Sequence, residues 1–121
     1  MCRFYTETMG FVLVERLEFA VGAVCKFRRG EARLKIFFSA SPVDPVVVHD
    51  PWFAPGGWRY AALDLGRLDD VDTLAAAVAA AGGRVLIAAT SHRAGARMAL
   101  VTDPEGNVWE LLASAPTGSP T

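Results

Sequence analysis

The amino-acid sequence predicts an α+β fold of two tandem modules, each pairing one helical segment with an antiparallel-rich sheet. Three observations lead there. The first is a spacing repeat: Gly10 and Gly22 stand 12 residues apart, as do Gly83 and Gly95, so that Gly22-Ala23 matches Gly95-Ala96 at an offset of 73. The second is that short apolar, β-branched runs bounded by glycine turns recur in both halves, whereas helical spacing occurs once in each. The third is that 121 residues, 52% hydrophobic and 21% charged, support a packed core and exclude a disordered chain.

The elements follow in order. Phe4, Tyr5, Thr8 and Met9 share the apolar face of a helix end over Arg3–Met9, and Gly10 stops it. Strands are predicted at Phe11–Phe19, Gly22–Arg28 and Arg33–Ser39, with Arg29-Gly30-Glu31 as the turn between the last two. Residues 40–57 hold four prolines and Gly56-Gly57, and read as a connector with a short extended piece at Val46–Val48. Trp58–Leu65 is a strand. Asp69 or Asp70 caps an alanine-rich helix over Val71–Ala81, which Gly82-Gly83 ends. Strands at Arg84–Thr90, Arg97–Thr102 and Asn107–Ala113 complete the second half, with Asp103-Pro104-Glu105-Gly106 as a turn that Asp103 and Asn107 fix. The tail, 116–121, is expected to be disordered.

The second half therefore reads strand-helix-strand-strand-strand, the first helix-strand-strand-strand. A faithful repeat places the absent opening strand at roughly −15 to −8, with a natural start about 15–25 residues upstream of Met1. The expected organisation is one domain over 1–115: module one 1–39, connector 40–57, module two 58–115.

Charge and composition bound the function. Twelve basic and 13 acidic residues give a formal charge of −1, which disfavours sequence-independent nucleic-acid binding and polybasic membrane anchoring. The longest apolar stretch, Leu74–Ala81, is too short to span a bilayer. Cytoplasmic location is the expectation. Cys2 and Cys25 make no disulfide framework and lack paired metal-ligand spacing.

The motifs Phe4-Tyr5-Thr6-Glu7-Thr8-Met9-Gly10-Phe11 and Asp103-Pro104-Glu105-Gly106-Asn107-Val108-Trp109-Glu110-Leu111 resemble the vicinal oxygen chelate superfamily, which includes glyoxalase, bleomycin-resistance and extradiol dioxygenase proteins. The resemblance covers residues 3–113. It implies tandem βαβββ modules of the glyoxalase-like fold, with the first strand of module one missing, sheets that enclose a cavity, and a homodimer in which modules are sometimes exchanged. It also implies metal ligands on first and last module strands, usually histidine, glutamine or glutamate. Glu110 stands at the last-strand position. Tyr60 stands where histidine is usual, and Lys35 closes module one. A fourth ligand would lie in the absent strand. Lys35 puts an ammonium where a cation should bind, which opposes metal binding. His49 and His92 fall in connectors and read as solvated side chains.

Alternation puts Val108, Glu110 and Leu112 on one face, and Tyr60, Ala62 and Asp64 on one face of the opening strand. The expected ligand-binding set is Lys35, Tyr60 and Glu110 around a cavity, with Trp52, Phe53 and Trp58 as an aromatic lid at its mouth. The alternatives are a Lys35–Glu110 ion pair or a solvent-facing Lys35, and aromatics that plug the core or a dimer interface. Catalytic residues are not assigned, and Glu110 is a metal ligand only where a metal is bound. The leading function is a glyoxalase/bleomycin-resistance-like protein that binds a small organic molecule without a complete metal site and without a cofactor. One alternative is a metal-dependent lyase, isomerase or dioxygenase with a ligand in the missing N-terminal strand, and a divalent metal as its cofactor. The other is a structural or regulatory dimer.

Overall fold

The computed structural model describes residues 1–41 and 60–115. The connector core, the aromatics Trp52, Phe53 and Trp58, His49, and the tail 116–121 lie outside the described residues. The chain divides into two compact units, Met1–Pro45 and Val46–Thr121.

The first unit opens with a helical segment, η1 (Phe4–Thr8), followed by β1 (Val12–Phe19), β2 (Gly22–Arg29) and β3 (Ala32–Ser39). The three strands form an antiparallel meander in the order β1-β2-β3. Where the sequence predicts an α-helix end, the structure has a π-helical turn: Met9 N–H donates to the Phe4 carbonyl, five residues back, at 3.0 Å. The wide turn lets two consecutive residues, Phe4 and Tyr5, both reach the core. Tyr5 meets Phe4 edge-on at 5.3 Å between ring centroids, and Tyr5, Phe11 and Phe27 pack mutually at 6.0–6.4 Å. This aromatic cluster seals one face of the sheet, where Ala23, Cys25 and Phe27 of β2 are buried.

The second unit contains β4 (Ala61–Asp64), α1 (Leu68–Ala80), β5 (Arg84–Arg93), β6 (Ala96–Thr102) and β7 (Val108–Ser114). Its sheet runs β4-β7-β6-β5, with β4 parallel to β7 and the other pairs antiparallel. The predicted strand-helix-strand-strand-strand order is therefore observed. The meander β5-β6-β7 repeats β1-β2-β3, and β4 on the outer side of β7 has no counterpart beside β3 among the described residues.

Several boundaries differ from expectation. The helix begins at Leu68, three residues early, with Arg67 at the N-cap and no side-chain cap. Asp69 and Asp70 sit instead in the first turn, where carboxylates favour the positive end of the helix dipole. The chain enters through an Asx turn, Gly66 N–H donating to Asp64 Oδ1 at 2.9 Å. Strand β5 runs three residues longer than predicted, and its pairing to β6 is repeatedly shifted in register. The turn reading of Asp103 holds: this buried side chain accepts from the Glu105 and Asn107 amides and from Asn107 Nδ2, each at 2.9 Å.

The helix-side core of the second unit is built on one face of its sheet, while Leu100 is buried on the other. Val71, Ala75 and Val78 of α1 are buried, as are Leu63, Ala99, Val101, Trp109 and Leu111 on the strands. At the end of the helix, Gly83 N–H donates to the Val78 carbonyl at 2.9 Å. A Cβ on Gly83 would lie 2.2 Å from the Thr102 carbonyl oxygen and 2.5 Å from Val78 Cγ1, so only glycine allows this approach. Arg97 on β6 forks onto Asp72 of α1 at 2.6 and 2.7 Å.

Two outcomes follow for stability. Gly83→Ala forces backbone or Val78 to move, and should cost about 1–3 kcal/mol in denaturant unfolding. The second concerns Asp72. Hydrogen bonds from Arg97, opposed by partial burial and aided by its charge, hold the Asp72 carboxyl below the ordinary 3.8. The native carboxyl is thus the stronger acid, so its stabilising contribution is present above about pH 4 and fades as pH falls through the native value. Thermal unfolding of Asp72→Asn against the parent should show a small deficit at neutral pH that closes under acid and in high salt.

Candidate functional site

Each sheet has one face turned to its own helical segment and one turned away. On the first sheet, the covered face carries Cys25 and Phe27, so Lys26 and Arg28 project from the other. The β2–β3 turn then decides what faces them. Gly30 takes φ 57° at the first position of a two-residue turn, as a type II′ hairpin requires. That turn sets Arg28 opposite Arg33 and Lys26 opposite Lys35. Four cationic side chains thereby form two adjacent cross-strand pairs.

Across from them, β1 contributes a bulge. The register slips between Leu13 and Glu15, leaving Val14 as the extra residue, 58% exposed, and setting Glu15 beside Lys26. Glu15 reaches Lys26 Nζ at 3.1 Å. The result is a hollow of about 500 Å³ lined by Val14, Glu15, Lys26, Arg28, Arg33 and Lys35. Among the described residues, Arg33 donates to the Gly30 and Ala32 carbonyls, at 3.3 and 3.4 Å. Among the described residues neither Arg28 nor Lys35 is in a salt bridge. Four cations against one carboxylate leave this face strongly positive on a chain whose formal charge is −1.

Like charges set directly opposite on neighbouring strands are destabilising. A sheet that keeps two such pairs side by side breaks a local rule, and sites of that kind are where function is found. Chemically, the face supplies two guanidinium forks and two ammonium groups above an apolar strip that includes Phe37, 54% exposed. Guanidinium forks match carboxylate and phosphate oxygens in pairs.

Of the sequence-predicted ligand residues, Lys35 lies on this face. Tyr60 and Glu110 belong to the second unit. Tyr60 immediately precedes β4 and is 43% exposed. Glu110 is half-buried on β7, between Ala62 of β4 and Leu100 of β6, on the face turned from α1. Lys35 and Glu110 thus occupy equivalent places in their own units: the last strand, on the face away from the helical segment. Trp52, Phe53 and Trp58 are outside the described residues. Sequence reasoning missed Lys26, Arg28 and Glu15. Alternation along β2 together with the two-residue turn carried the signal for the first two; the bulge that brings Glu15 in has no sequence mark.

Taken one by one, two of the three side chains at the expected ligand positions are poor donors for a divalent ion. Lys35 supplies a positive charge, Tyr60 a weak phenol donor and Glu110 one carboxylate. Among the described residues, no three His, Cys, Asp or Glu side chains are grouped as metal ligands, and His92 is an exposed residue near the end of β5.

Comparison with known proteins gives a consistent picture. The family model for the Glyoxalase/Bleomycin resistance protein/Dioxygenase superfamily matches residues 1–111. No curated protein sequence matches the chain. Among solved structures, the fold is similar to a glyoxylase/bleomycin resistance protein/dioxygenase domain from Frankia sp. EAN1pec, with a TM-score of 0.73 at 16% identity, covering 93% of this chain and 85% of that one. It is also similar to a glyoxalase/bleomycin resistance protein/dioxygenase family enzyme from Burkholderia phytofirmans PsJN (TM-score 0.66, 20% identity, 94% and 87% covered). A glyoxalase-related enzyme from Fulvimarina pelagi gives a TM-score of 0.64 at 22% identity, with 93% and 77% covered.

The opposed cations make a stability forecast. Lys35→Gln relieves the repulsion with Lys26 and should raise unfolding free energy by roughly 0.2–1 kcal/mol at low salt. The gain should shrink as ionic strength rises, which urea titrations at two salt concentrations would read.

Proposed function

We propose, from the premise that this chain belongs to the Glyoxalase/Bleomycin resistance protein/Dioxygenase superfamily, that it binds a small organic molecule carrying a carboxylate, phosphate or sulfonate group, and does so without a divalent metal. The observation that carries this reading is the two-by-two set of Lys26, Arg28, Arg33 and Lys35 around the hollow on the first sheet. An anion seated there relieves the repulsion that the apo protein tolerates, so ligand charge and protein stability are coupled. The exposed ring of Phe37 and the aliphatic stems of the lysines supply apolar contact for the organic body of the ligand. Tyr60 and Glu110 are the corresponding polar groups of the second unit, suited to a hydroxyl or an amine on a ligand.

We read the protein as a cytoplasmic homodimer. Two cysteines without a disulfide framework suit a reducing compartment. The outer edge of β3 carries no strand among the described residues, and edges of that kind are commonly covered by pairing.

A thermal-shift and calorimetric screen of small carboxylates, phosphates and sulfonates, each matched with its neutral ester or alcohol, tests the binding reading. The anions should raise the melting temperature and the neutral partners should not. Arg28→Gln with Lys35→Gln should weaken binding at least tenfold while leaving the fold intact. Equal binding of neutral partners would overturn the anion assignment. Stoichiometric divalent metal in the purified protein, lost in Glu110→Gln, would overturn the metal-independent reading.

A further inference from the structure

Cysteine gives the first unit a second chemistry, on the opposite side of its sheet from the cationic face. Cys2 lies at the start of the helical segment and Cys25 in the middle of β2. Twenty-two residues separate them, yet the Cys2 thiol donates to Cys25 Sγ at 3.6 Å. Cys25 has no exposed surface, whereas Cys2 is half-buried. Arg16, the register partner of Cys25 on β1, directs a guanidinium N–H onto the same sulfur at 3.6 Å while holding Glu18 with its Nε. One buried sulfur thus receives two donors, one from a second thiol and one from a cation.

We propose that Cys2 and Cys25 are a reversible two-electron redox pair, closed to a disulfide by hydroperoxides, that ties the helical segment to the sheet. The sulfurs must approach by roughly 1.5 Å to reach the bond length of about 2.0 Å. The mover is Cys2, which sits in the first turn; Cys25 is held on both sides by strand pairing. The route follows from exposure. Cys2 meets the oxidant: its thiolate attacks a peroxide oxygen, the S–O bond forms, the O–O bond breaks, and the hydroxide released is protonated to water. Cys25 Sγ then attacks Cys2 Sγ, the S–S bond forms, and the S–O bond breaks. The second hydroxide takes up the proton that Cys25 gives away. In total, two thiols and one hydrogen peroxide become one disulfide and two waters; the sulfurs lose two electrons and the oxygens gain them. Arg16 stabilises the negative charge that Cys25 carries during its attack.

The resting state is the reduced one. Burial, then the hydrogen bond with Cys25 and its charge, push the Cys2 thiol up from its ordinary value. A thiol that holds its proton reacts slowly, so the pair stays open until oxidant is in excess. Closure joins residues far apart in sequence and restricts the unfolded chain, which stabilises the closed form.

The test uses the full chain, reduced and then exposed to excess hydrogen peroxide under native conditions. Thiol titration in denaturant should show both cysteines lost together. Intact mass should fall by two hydrogens, and a non-reducing peptide map should link Cys2 to Cys25. The melting temperature should rise by several degrees, and dithiothreitol should reverse every change. In Cys2→Ser the Cys25 thiol should survive the same exposure, because no solvent reaches it. Oxygen addition at Cys2 with Cys25 still free would overturn the proposal. A disulfide between two chains, or two unreacted thiols, would do the same.

Discussion

Among the described residues each sheet has a single helical segment to cover it, and that segment covers one face. Everything else in the protein follows from this asymmetry. On the first sheet, Phe4, Tyr5, Phe11 and Phe27 occupy the covered face, and alternation sends Lys26, Arg28, Arg33 and Lys35 to the other. On the second, α1 lies over Leu63, Ala99, Val101 and Leu111, and Glu110 turns the opposite way.

The two units meet the same constraint with different means. The second spends a 13-residue helix on it, with Val71, Ala75 and Val78 as its buried stripe. The alanines bring that helix close, and Gly83 lets the chain leave it against Thr102. The first unit has a five-residue helical segment and compensates with ring size: four aromatic side chains fill the volume that aliphatic residues fill in its counterpart. The π-helical turn belongs to that solution, since it places consecutive rings on one side.

Chemistry divides along the same line. The exposed face of the first sheet holds charge that is poorly compensated and able to meet an anion. Its covered face holds two sulfurs and a guanidinium in contact, of which only the Cys25 sulfur is fully buried. Alternation along β2 separates Cys25 from Lys26 by one residue and a full sheet thickness. A single strand thereby presents cations on one side and a cysteine on the other.

Much of this was legible in the amino-acid sequence, and the reason is local. Glycines at matched spacing mark the turns, apolar alternation marks the strands, and both are carried by residues near one another in the chain. The 73-residue repeat, the three-strand meanders, the strand before α1 and the turn held by Asp103 all came from such signals. Lys35 and Glu110 were legible as equivalent positions for the same reason. Tertiary structure decided what depends on distant residues meeting. The widening of the first helical turn answers to Phe11 and Phe27. The early start of α1 answers to the Asx turn at Asp64 and to sheet packing, against an N-cap signal at Asp69 and Asp70. The β1 bulge sets Glu15 on Lys26, and nothing in the β1 sequence announces it. The approach of Cys2 to Cys25 is the clearest case: 23 residues apart in the chain, their sulfurs meet because the rings around them pull the helical segment onto β2. Local geometry is written residue by residue, whereas the meeting of distant side chains is settled by how the core packs.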